Sequence, residues 1–82
     1  ETMLVAAVRH LIPLQLDQIS PGSVLIFRLR PGMVAKHAAI LATPATMIHA
    51  TEGAAASEVS VSPWWRRRMA AAFAFPPRPE SA

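Results

Sequence analysis

The chain has 82 residues, enough for one small domain, and it contains no cysteine, which excludes disulfides, thiolate metal sites and a cysteine nucleophile within these residues. Its formal charge of +3 is concentrated in three consecutive arginines, Arg66 to Arg68, and without a nucleic-acid-binding motif this pattern predicts a solvated helix face and no nucleic-acid partner. No apolar run approaches the ~20 residues that cross a bilayer, so we expect no membrane span.

The first predicted element is an amphipathic helix over residues 2–12. Its apolar side chains recur three or four positions apart, and Pro13 cannot continue it. Residues 13–20 alternate apolar and polar side chains without strong strand formers, so we interpret them as an extended connector. The connector leads into Pro21-Gly22, a type II turn signal.

The remainder of the chain carries signals for strands and one short helix. Residues 24–30 begin as a continuous apolar run, which predicts a central strand, and Pro31-Gly32 repeats the turn signal. Ser62-Pro63 has the cap-then-proline order that opens a helix, in which we expect one tryptophan to anchor the core and the other to lie at the surface. The predicted strands cover residues 24–30, 36–42, 46–51, 57–62 and 70–75, with the last at an edge of the sheet.

These elements predict an α+β fold, in which an N-terminal helix is followed by a small antiparallel sheet of four to five strands with one short helix. No internal repeat or linker divides the chain. We therefore place one domain in residues 1–76 and a proline-rich mobile tail in residues 77–82.

Two histidines, His37 and His49, lie in neighbouring predicted strands that Thr43-Pro44-Ala45 joins. If the loop has an odd number of residues, cross-strand partners have residue numbers that sum to an even value, and the two imidazoles share one face. An even loop puts them on opposite faces, and the sequence does not fix the loop length. We predict the shared face. The alternatives are two unrelated histidines, or a zinc site in which Glu52 joins the pair.

Four stretches follow one another along the chain: PGSVLIF at 21–27, HAAI at 37–40, MIHA at 47–50, and then Val59 with the helix that carries Trp64-Trp65-Arg66. In order and spacing they resemble the second half of the NlpC family of cell-wall cysteine peptidases, and in particular its phage cell-wall peptidase branch. The resemblance covers residues 20–75 and, loosely, the first helix.

The resemblance implies a papain-like arrangement, in which a cysteine at the start of a helix pairs with a histidine on the sheet and a third polar residue orients that histidine. His37 matches the catalytic base and His49 the orienting position, while no residue matches the cysteine. In the family that cysteine precedes the matched region, so we expect these 82 residues to be the C-terminal half of the domain, inactive alone. Ser23 stands where the family usually has aspartate, and we do not expect it to replace the nucleophile.

The implied enzyme is a peptidoglycan endopeptidase that cleaves stem-peptide bonds. It would belong to a phage particle or a prophage and act at the bacterial cell wall, in the periplasm or outside the cell. The implied partners are the stem peptide, the missing cysteine-bearing segment and phage tail proteins, and no metal or other cofactor is expected. The alternative is a non-catalytic phage tail structural module, or a peptidoglycan-binding module of the same fold.

A chain without the cysteine helix should leave part of its sheet uncovered. Strand alternation places Ala39 and Leu41 beside His37, and Met47 beside His49. We therefore expect an exposed apolar patch on the face that carries the histidines, and self-association through that face or poor solubility.

Overall fold

A computed structural model of the chain describes residues 3–35, 37–49 and 55–77 and shows an α+β fold. Two α-helices, six strands and a single 3₁₀ turn make up the described part of the chain. In chain order they are α1 (Met3–His10), β1 (Ile12–Leu14), the 3₁₀ turn (Leu16–Gln18), β2 (Val24–Phe27), β3 (His37–Thr43), β4 (Thr46–His49), β5 (Ser57–Ser60), α2 (Pro63–Arg68) and β6 (Met69–Ala74). Neither of these helices has the length and apolar character that a membrane crossing requires.

The six strands form one sheet in the order β1-β6-β2-β3-β4-β5, and every neighbouring pair is antiparallel. The α+β class is as predicted, but the sheet has six strands and not four to five. The prediction of β6 as an edge strand is wrong, because β1 pairs along its outer side, with Ile12 opposite Ala74 and Leu14 opposite Ala72. The connector interpretation of residues 13–20 missed β1, a three-residue strand with Pro13 at its centre, and proline is tolerated in an edge strand.

The two faces of the sheet carry separate cores. One face, here called the histidine face, carries His37 and His49 over a cluster of buried residues. The opposite face, here called the helix face, packs against α1 through a second cluster. The first cluster contains Leu25, Phe27, Ala39, Leu41, Met47, Val61 and Ala72, and the second contains Ala7, Val24, Ile26, Ala35 and Phe73.

Strand β2 is central, as its apolar run predicted, and all four of its residues are buried. It is shorter than the predicted 24–30, because the chain turns away after Phe27 and the Arg28 amide donates to the Arg68 carbonyl oxygen (2.8 Å). Both predicted turns are confirmed, since Gly22 and Gly32 have positive φ values of 96° and 79°. Only glycine adopts such backbone angles without strain.

The prediction of an exposed apolar histidine face is wrong. Ala39, Leu41 and Met47 are at most 5% exposed, because Val61, α2 and the segment between β1 and β2 cover them. On β3 and β4 the exposed apolar side chains lie instead on the helix face. There Ile40 and Ile48 are 42% and 47% exposed beside Ala38, and these three residues are here called the open patch.

Candidate functional site

The β3–β4 hairpin places both histidines on one face, as predicted. Ala39 pairs with His49, so His37 and His49 are diagonal neighbours. The last pair before the turn, Thr43 with Thr46, would by its own parity put them on opposite faces. A register shift between Leu41 and Thr43 restores the shared face.

Thr43 fixes the turn that produces this register. Its Oγ1 accepts hydrogen bonds from the Ala45 amide (3.2 Å) and the Thr46 amide (3.0 Å), and it lies 2.7 Å from Thr46 Oγ1. Pro44 supplies the fixed φ of the turn. Local side-chain bonds of this kind stabilise the two-residue loop and so the position of His49 relative to His37.

The site is a cluster of three rings. The imidazole centroids of His37 and His49 are 4.9 Å apart with a tilt of 50°. The Trp65 ring lies 6.0 Å from His37 in a stacked arrangement and 5.0 Å from His49. Trp65 is itself held against Phe27 in an edge contact at 4.9 Å.

Helix α2 positions Trp65 in this cluster. Ser62 caps the helix by accepting from the Trp65 amide (3.5 Å), and Pro63 occupies its first turn, as the sequence predicted. Trp65 is partly buried against the core of the histidine face, whereas Trp64 is 43% exposed. The prediction of one anchoring and one surface tryptophan is confirmed, but no pattern in the sequence indicated that the anchor would touch both histidines.

The surroundings of His49 disfavour its charged form. Burial lowers the pKa of His49 below 6.5, and the nearby charge of His37 lowers it further. Its Nε2 atom is buried and has no hydrogen-bond partner among the described residues, and no hydrogen bond joins the two rings. A neutral His49 has one ring nitrogen that can accept a hydrogen bond from a neighbouring donor.

The zinc hypothesis stays untested. No group of three His, Cys, Asp or Glu side chains comes together within residues 3–35, 37–49 and 55–77. Glu52, the third member of the proposed zinc set, lies outside that part of the chain. Two imidazoles alone do not complete a protein zinc site, which normally has three or four protein ligands.

Ser23 takes no part in the histidine cluster. It is buried in the Pro21-Gly22 turn, where its Oγ accepts a hydrogen bond from the Ser20 amide (3.1 Å). Strand β2 separates it from Phe27, the residue that pairs with His37, a distance of about 13 Å at the rise of a strand. The geometry thus gives Ser23 a structural place in the turn.

Comparison with known proteins adds no assignment: no protein-family model and no curated protein matches this chain. Function is therefore argued from the histidine cluster and from the motifs of the sequence.

Proposed function

We propose that this chain is the C-terminal half of a peptidoglycan-hydrolysing cysteine endopeptidase of the NlpC type. His37 is the catalytic base, and His49 orients it. The nucleophile comes from a cysteine-bearing segment outside these residues, because the chain has no thiol. The observation that carries the proposal is the contact of the two imidazoles on one face, at 4.9 Å between centroids, with the pKa of His49 lowered.

In the proposed mechanism, His37 carries the protons of the reaction and His49 orients its ring. One ring nitrogen of His37 takes the proton from the cysteine thiol, and the thiolate attacks the peptide carbonyl carbon. The same nitrogen then gives its proton to the departing amine, and water hydrolyses the thioester with His37 again as base. A neutral His49 accepts a hydrogen bond from the other nitrogen of His37 after a small ring rotation, which holds the reactive nitrogen towards the sulfur.

The substrate class and location follow from the resemblance and belong to the same proposal. The bond cut lies in the stem peptide of peptidoglycan, next to a dibasic residue such as diaminopimelate. The enzyme acts at the bacterial cell wall as part of a phage or prophage system. The non-catalytic alternative, a tail or peptidoglycan-binding module, uses the same face without a thiol.

The reading frame upstream of the Glu1 codon provides the test. We expect it to encode an Asp-Cys-x-Gly stretch that opens an apolar helix, and the extended protein to release peptides from purified peptidoglycan. The 82-residue chain alone should release none. His37→Ala in the extended protein should abolish release, and His49→Gln should reduce it about 10²–10⁴-fold, the usual worth of acid–base assistance.

Two results would reject the proposal. An upstream frame without cysteine would favour the non-catalytic module. Release of peptides by the purified 82-residue chain, free of contaminating enzyme, would show that the assignment of the nucleophile is wrong.

Self-association also stays a prediction, but its predicted surface has to change. The histidine face is covered, so the notion that copies meet through its apolar residues has lost its basis. On β3 and β4 the large apolar side chains that stay exposed are Ile40 and Ile48 of the open patch.

A further inference from the structure

Three arginines bound a cleft of about 340 Å³ at the point where β2 ends and α2 passes into β6. Its walls are tied together by the hydrogen bond from the Arg28 amide to the Arg68 carbonyl oxygen (2.8 Å). The lining residues are Arg28, Leu29, Pro31, Arg67, Arg68 and Met69.

The positive charge of this cleft is not neutralised within the part of the chain that the structure describes. Carbonyl oxygens hold two of the arginines: Arg28 Nε donates to Met33 (2.7 Å), and Arg68 donates through Nε to Leu29 (3.1 Å) and through Nη1 to Trp64 (3.0 Å). None of the three lining arginines has an ion pair with a described carboxylate. A carbonyl fixes a guanidinium but leaves its full charge in place.

Two of the three guanidinium groups, those of Arg28 and Arg68, are held in place before an anion binds. The Nη groups of Arg28 have no described partner, and Arg67 makes no hydrogen bond to a described residue. Arg68 is fixed further by its guanidinium carbon, 3.7 Å from the centre of the Trp64 ring. Side chains that are held in place before binding lose less conformational entropy when a ligand arrives.

The cleft opens at the same end of the sheet as the histidine cluster. Phe27 pairs with His37 on one side and with Met69, a cleft residue, on the other. Two strand spacings therefore separate His37 from Met69, a distance of about 10 Å. An extended peptide covers that distance in about three residues.

We propose that the cleft formed by Arg28, Arg67 and Arg68 binds a free carboxylate of the peptide substrate, two or three residues from the bond next to His37. This inference rests on the proposed function, and it names the feature by which the site selects acidic peptides. Paired N–H donors of a guanidinium match the two oxygens of a carboxylate.

Binding of synthetic stem peptides to the 82-residue chain tests the proposal. The probes are a tetrapeptide that contains diaminopimelate with free carboxylates and the same peptide with every carboxylate amidated. The informative variant is Arg67→Gln, because Arg67 holds no described contact that the fold requires. Arg9→Gln on α1, which packs on the opposite face of the sheet, is the control with the same change of charge.

We expect Arg67→Gln to weaken binding of the acidic peptide roughly tenfold, the usual worth of one charge-assisted contact. Arg9→Gln should bind as the unchanged chain does, and the amidated peptide should bind weakly to all three proteins. Arg67→Lys should recover part of the affinity, because it keeps the charge and loses the two-pronged geometry. Added salt should weaken binding of the acidic peptide more than binding of the amidated peptide.

Three results would overturn the proposal. Equal affinity of Arg67→Gln and the unchanged chain would exclude the cleft. If the peptide then still shifted the His37 and His49 resonances, the proposed function would stand without it. If Arg67→Gln and Arg9→Gln weakened binding of the acidic peptide equally, the effect would come from the net charge of the chain and not from the cleft. Lack of binding by the unchanged chain would remove the cleft as a substrate site, while peptide release by the extended protein would judge the proposed function separately.

Discussion

The two sides of the β3–β4 hairpin have the same strands and opposite environments. On the histidine face, Leu41 is 5% and Met47 0% exposed beneath α2 and its neighbours. On the helix face, Ile40 and Ile48 pair with each other and remain 42% and 47% exposed. Successive residues of one strand thus differ because of what covers each face. Local sequence sets the alternation, and distant segments decide which side is buried.

The largest change in stability should come from shortening a side chain on the covered face of β3, compared with its neighbour on the other face. Leu41→Ala removes a buried side chain from a packed core and should lower the free energy of unfolding by about 2–5 kcal/mol. Ile40→Ala on the open patch should cost about 1 kcal/mol or less, because its side chain stays half in water. Urea unfolding of both variants measures the difference. Equal losses would contradict the assignment of the two faces.

A smaller loss of stability is expected when Trp65, which packs over the histidine face, is replaced by a smaller side chain. Trp65→Leu removes the ring contacts with both histidines and should lower the free energy of unfolding by roughly 1–3 kcal/mol. It should also raise the pKa of His49 towards its ordinary value, since burial is the main cause of the lowered pKa. Trp64→Leu is the control, because that ring does not touch the histidines in a described contact. NMR titration and urea unfolding give the two readouts, and identical results for the two variants would contradict the ring cluster.

Protonation of His49 should make the free energy of unfolding depend on pH. The pKa of His49 is lowered in the folded protein, so between that pKa and 6.5 the unfolded chain binds more protons than the folded one. Stability from this group is full above pH 6.5 and falls as pH drops through that window, by at most about 1.4 kcal/mol per pH unit. Unfolding curves between pH 7.5 and 5 should show the loss, and His49→Gln should remove this part of it. An unchanged slope in the variant would mean that His49 is not the group responsible.

The local features of the fold were predictable from short stretches of sequence. Pro21-Gly22 and Ser62-Pro63 each specify a conformation through residues next to one another, and the structure has the turn and the capped helix there. The shared face of His37 and His49 was predicted correctly, although the two-residue loop has the parity that by itself places them on opposite faces. The sequence alone did not determine it, because the register shift next to Thr43 changes the parity of the pairs.

The predictions that were wrong concern contacts between segments far apart in the chain. Three residues around Pro13 gave no strand signal, yet β1 covers the outer side of β6, almost 60 residues later. The expected bare histidine face was wrong for the same reason, since Val61 and Trp65 close it from beyond β5. The arginine cleft combines residues that follow β2 with residues from the end of α2 and the start of β6, whereas three consecutive arginines in a sequence predict only a solvated helix face.

His37 and His49 are proposed to act as an interacting pair on the covered face. The most direct measurement is the NMR titration of His49 in the unchanged chain and in His37→Gln. We expect His49 to have a pKa below the 6.5 of an exposed histidine, and His37→Gln to raise that pKa while burial keeps it below 6.5. If His49 titrates as in an unfolded peptide and does not respond to His37→Gln, the two histidines do not form such a pair.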